Sequence, residues 1–151
     1  MAHGRSLGTC GALLAALVLA GCGSTPAVSL QSEFLDAVDA AGEGSGTLDL
    51  VPVLHDDWQR VVVACPGTDE EAIAAALEVE SVDGDLPDLG DEDTGWLLLV
   101  NGSTVTDVVD VPRDEADLCA GDGGPDVLTP GSPTMTVAPG ETDGAWVVSA
   151  D

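Results

Sequence analysis

The chain has 151 residues, a net charge of -25 from 28 Asp and Glu against 3 Lys and Arg, and a mean hydropathy of +0.24. All the basic residues are arginines, so the surface repels phosphate backbones and anionic lipid headgroups, which are bound through cationic side chains; nucleic acid is excluded as a partner. Acidity on this scale fits either the lysine-poor composition of a high-GC genome or a high-salt setting in which counter-ions screen a dense carboxylate surface, and it bears on solubility rather than on fold.

The first element is a leader. Arg5 precedes an apolar run from Cys10 to Ala20, which is shorter than the ~20 residues a bilayer-spanning helix needs and is followed by small and polar residues. The junction Leu19-Ala20-Gly21-Cys22 resembles the lipobox of bacterial lipoproteins. That resemblance implies cleavage before Cys22, a diacylglyceryl group on its thiol and a membrane partner reached through that lipid. Each buried methylene contributes about 0.8 kcal/mol, so two or three acyl chains anchor a protein where one does not. The expected organisation is a signal peptide over 1–21, a flexible tether over 22–29 and one α+β domain over 30–151. About 129 residues follow Cys22, enough for one modest core.

Leu30, Phe34, Leu35, Val38 and Ala41 recur at helical spacing, with Ser29 or Ser32 as the cap and Gly42 as the stop. Leu48 to Leu54 reads as a short extended segment interrupted by Pro52. Trp58 to Cys65, with three consecutive valines, is a strand, followed by a Pro66-Gly67 turn. Thr68 and Glu71 form a capping box for a helix carrying Ile73 and Leu77. Residues 81–94, rich in Gly, Pro and Asp, form a loop. Trp96–Val100 and Val105–Val111, separated by Asn101-Gly102, predict a hairpin whose turn places both Asn101 and Gly102 at positive φ. Thr134–Ala138 and Ala145–Ser149 form a last pair of strands. The sum is α+β, two helices packed on one mainly antiparallel sheet of about five strands.

Candidate chemistry is sparse. After loss of the leader, Cys65 and Cys119 remain beside Cys22, either as a disulfide closing a loop of about 54 residues or as two buried free thiols; the disulfide is the expectation. A catalytic cysteine needs a base, and the one histidine past the leader, His55, is a poor partner for Cys65. Arg60 lies two residues from Trp58 on a strand, so it can lie across that ring or pair with a carboxylate; Arg113 suggests an ion pair. The run Asp83, Asp85, Asp88, Asp91 and Asp93 invites calcium, but Pro87 stands where a ligand belongs and no glutamate closes the loop. Asn101-Gly102-Ser103 matches a glycosylation sequon within the hairpin turn. No catalytic residue, metal ligand or cofactor is assigned.

Trp58-Gln59-Arg60 with its valines, Pro66-Gly67-Thr68, a helix, the Trp96–Val100 strand with its Asn-Gly turn, and Pro112-Arg113 together resemble a group of small uncharacterised bacterial lipoproteins, over about Leu54 to Cys119. This chain has Gln59 where the group often has Asp, and Cys65 and Cys119 resemble its disulfide-bearing actinobacterial version. The group carries no assigned activity. The expectation is a lipid-anchored envelope protein with a structural or interaction role and no catalysis; the alternative is a binding module for calcium or a small ligand.

Overall fold

The computed structural model describes residues 29–55, 58–121 and 124–151. The expected leader, Cys22 and the tether up to residue 28 lie outside the described residues.

Helix α1 spans Leu30–Glu43. Ser29 is its cap, extended in backbone and accepting the Ser32 amide at 3.2 Å, so one of the unpaired first-turn donors is satisfied. Phe34, Val38 and Ala41 form the buried stripe. Gly42 does not end the helix, as its type suggests; the chain turns at Gly44 and Gly46, whose amides both reach the Ala41 carbonyl. The reason for glycine at 42 is tertiary. A Cβ there would lie 2.5 Å from the Trp146 ring, which packs flat against the helix and donates its indole N–H to Asp39 at 2.7 Å.

The next segment corrects the expectation of an interrupted extended piece. Strand β1, Thr47–Asp49, gives way to a one-turn helix, α2, over Val51–Leu54. Pro52 sits in that first turn, where its missing N–H would have had no partner, and the Asp49 carboxylate accepts the Val51 amide at 3.0 Å.

Strands β2 (Arg60–Ala64), β3 (Thr94–Asn101) and β4 (Thr104–Pro112), joined by the short β6 (Asp126–Leu128), form an antiparallel sheet ordered β4-β3-β2-β6. Residues alternate across it. Val61, Val63, Leu97, Leu99, Val109 and Val111 belong to the core shared with α1, and Val62, Ala64, Trp96, Leu98 and Val100 to the core under helix α3 (Glu70–Leu77). Burial on both faces explains why the middle strands read as continuous apolar runs rather than as alternation.

Two local expectations shift here. Asp69, not Thr68, caps α3, its carboxylate accepting the Ala72 amide at 2.7 Å. The Thr68 hydroxyl instead accepts the Cys65 amide at 3.0 Å and closes the Pro66-Gly67 turn, a competing use of the same short side chain. In the hairpin, Asn101 pairs with Thr104 inside the ladder, and Gly102 (φ 65°) and Ser103 form the two-residue turn. Positive φ is therefore needed once, at the first turn position, as a type II′ turn requires.

The remaining strands form a second sheet, ordered β1-β7-β8-β5, with β7 at Thr134–Pro139, β8 at Trp146–Ala150 and β5 at Ala116–Asp117. Its one parallel pair is β5 with β8. The fold is α+β and mostly antiparallel, as expected, but among the described residues eight strands divided between two sheets replace the single sheet of five, and α2 is a third helix. Leu48, Met135, Val137 and Val148 of the second sheet meet Phe34 and Val38 and the near face of the first sheet, so α1 is wedged into the seam between the sheets.

Candidate functional site

Cys65 follows β2 of the first sheet and Cys119 follows β5 of the second, and the two are joined by a disulfide with Cα atoms 5.7 Å apart. The bridge thus ties the sheets together at one end. Gly95 of β3 leaves the space it needs, since a Cβ there would come within 3.3 Å of the Cys119 Sγ. A disulfide sulfur is not a thiolate, and neither cysteine acts as a nucleophile in this state.

Two arginines, Arg60 and Arg113, act as ties. Among the described residues Arg60 has no carboxylate partner; its guanidinium donates to the Leu77 carbonyl at the end of α3 and to the Gly102 carbonyl in the hairpin turn. A cation at the helix C-terminus meets the negative end of the peptide dipoles, so one side chain links helix and hairpin. Arg113 does pair with a carboxylate. Its Nε and Nη2 donate to the two Asp117 oxygens at 3.0 and 3.2 Å, and its Nη1 donates to the Glu92 carbonyl at 3.0 Å.

Burial by itself would raise the Asp117 carboxyl, but the Arg113 hydrogen bonds, the Cys119 amide and the Arg113 charge outweigh it and hold the pKa below the ordinary value. The same hydrogen bond raises Arg113, against a smaller opposing effect of burial. A carboxyl with a depressed folded-state pKa stabilises the fold fully above its unfolded value, about pH 4, and loses that contribution as pH falls through the folded value. Denaturant unfolding of Asp117→Asn at a series of pH values is expected to show lower stability at pH 7 and a shallower loss below pH 4 than the parent. Equal slopes for the two proteins would refute this assignment.

The acidic loop is used for architecture. Asp83 bridges to Thr104 beside β4, and its carboxylate accepts from the Ser103 hydroxyl at 3.2 Å. Asp88 accepts the Gly90 amide, while Asp91 accepts the Asp93 amide and the Thr94 hydroxyl. These are turn-closing contacts made inside the loop. Leu86 and Leu89 pack on the α3 side of the core, so the loop covers that face. Among the described residues no group of three or more His, Cys, Asp or Glu side chains is placed to hold a metal ion.

A concavity that sequence reasoning did not find lies between the start of α1 and the edge of β4. Its volume is about 500 Å³. Leu54 and Leu99 are buried in it, Leu30 is half-buried, and Glu33, His55 and Asp107 stand around it. His55 Nε2 lies 3.0 Å from Glu33 Oε2, across 22 residues of chain. The His55 backbone has φ 62° and ψ -174°, a region almost confined to glycine, which costs on the order of 1–3 kcal/mol. On the opposite wall β4 carries a bulge. Leu99 pairs with Asp107 but Val100 pairs with Val105, so Thr106 is an extra residue, and Thr106 and Asp107 both border the concavity. His55 was visible in the sequence as an isolated histidine; the bulge and the Glu33 pairing have no local signal.

No helix among the described residues is long and apolar enough to cross a membrane. No known family model matches the chain, and no curated protein or solved structure resembles it significantly.

Proposed function

We propose that the chain is a membrane-anchored lipoprotein of the bacterial cell envelope, held on the extracytoplasmic face by lipid on Cys22, with a structural or interaction role and no catalysis, alongside the small lipoproteins it resembles. The observation that carries this reading is Leu19-Ala20-Gly21-Cys22 at the end of a short apolar run. The Cys65–Cys119 disulfide supports it, because such bonds persist in oxidising compartments. Cys22 precedes the first residue of α1 by eight positions, a span of at most ~28 Å, so on this reading the first turn of α1 stays near the membrane surface. The use of Arg60 and Arg113 and of Asp83, Asp88 and Asp91 in structural contacts supports a non-catalytic role.

The test is intact mass of protein purified from membranes of its own host, before and after thiol reduction. The expected species begins at Cys22, carries acyl mass and gains the two hydrogens of one reduced disulfide, while a Cys22→Ser variant lacks the acyl mass and leaves the membrane-lipid fraction. A soluble, unlipidated wild-type species would overturn the reading.

A further inference from the structure

We propose that the concavity between the start of α1 and the bulged part of β4 binds a small organic ammonium ion, a primary amine carried on an apolar body. The volume, about 500 Å³, lies within the roughly 300–1,000 Å³ of small-molecule sites. Its floor is hydrocarbon, from Leu54 and Leu99, and its rim is anionic, from Glu33 on α1 and Asp107 on β4. That division matches a ligand with an apolar body and a cationic head.

Each rim carboxylate uses one oxygen inside the protein. Glu33 Oε2 meets His55, and Asp107 Oδ1 accepts the amide of Val108 at 2.8 Å. An ionised carboxylate has two acceptor oxygens, so each keeps one with which to meet an N–H of the ammonium group. The bulge matters because it sets Thr106 beside Asp107 on this wall, in place of the alternation a regular strand imposes.

Charge selects the head group. Among the described residues the lining contains no lysine or arginine, its one histidine, His55, is already paired with Glu33, and the chain as a whole carries -25, so a cation is drawn toward the surface and an anion is driven off. The leucine floor selects the body. A bare Ca²⁺ takes six to eight oxygen ligands, and a site half made of methyl groups cannot surround it, whereas hydrocarbon gains by leaving water there. This inference is independent of the anchor at Cys22.

The test is an NMR titration of the isotope-labelled full chain with phenethylammonium, with phenethyl alcohol and KCl at matched ionic strength as controls. Saturable shifts confined to the surroundings of Leu30, Leu54 and Thr106 are expected, with the neutral alcohol binding far more weakly. Glu33→Gln and Asp107→Asn are each expected to weaken binding by about tenfold, the effect of losing one charge-assisted contact. The exposed Asp107 leaves the His55–Glu33 pair intact, so that variant reports on binding even if Glu33→Gln disturbs the helix start. Non-saturating shifts spread over the acidic face of α3, at Glu70 and Glu71, would mean counter-ion accumulation and overturn the proposal, as would unchanged affinity in Asp107→Asn.

Discussion

Replacing Cys65 and Cys119 together by alanine is expected to lower the unfolding free energy by about 4 kcal/mol, the chain-entropy value for a cross-link of this length. The sequence separation is 54, and the closed loop contains α3, β3, β4 and β5, elements of both sheets. In the cross-linked denatured state the residue after β2 and Cys119, two residues past β5, stay close. Without the bond, folding must bring them together at full entropic cost. For a domain of this size the midpoint of thermal unfolding should fall by on the order of 15 °C. Denaturant unfolding of the double variant beside the oxidised parent measures it. A loss under about 1 kcal/mol would mean that the unfolded chain is not the state the bond restrains.

Phe34→Ala is the second large effect, with an expected loss of about 3–5 kcal/mol. Phe34 is the one phenylalanine in the chain, is 0 % exposed, and lies where α1 meets the inner faces of both sheets. Truncation removes apolar surface from burial and leaves a cavity whose walls belong to three different layers, which limits how far they can close. Phe34→Leu keeps most of the volume and should lose under about 1.5 kcal/mol. The denaturant dependence supplies the decisive reading. If α1 is the wedge that joins the sheets, both variants unfold in one transition with the parent's slope. A reduced slope in Phe34→Ala would show that α1 detaches by itself and that the sheets hold together without it.

Much of the secondary structure was written locally. The heptad-like spacing of Phe34, Val38 and Ala41, the serine before it, the valines of β2, and the paired runs around Gly102 each state an element through chemistry that acts within a few residues. Where two residues could do the same local task, the local pattern pointed to the wrong one. Thr68 and Asp69 both cap helices, and the outcome depended on which was needed to close the turn before α3. Gly42 read as a stop because glycine often is one; its actual constraint is a ring from a residue more than a hundred positions away.

The short strands β1, β5 and β6 carry too few residues for any periodicity, and without them the division into two sheets is invisible. The same holds for the candidate site. Glu33, His55 and Asp107 are ordinary acidic or polar residues in sequence, and only the docking of α1 against the bulged edge of β4 brings them to one concavity.

By itself, then, the sequence determined the lipobox-like junction, the strongly acidic charge balance, the α+β composition and the elements with strong local periods, because each rests on residue type and spacing rather than on packing. The tertiary structure decided which strands share a sheet, that the Cys65–Cys119 bond joins the two sheets, what Arg60 and Arg113 tie, and where a ligand-sized concavity opens. Those outcomes depend on which distant surfaces bury one another, and burial is a property of the whole packed chain rather than of any segment.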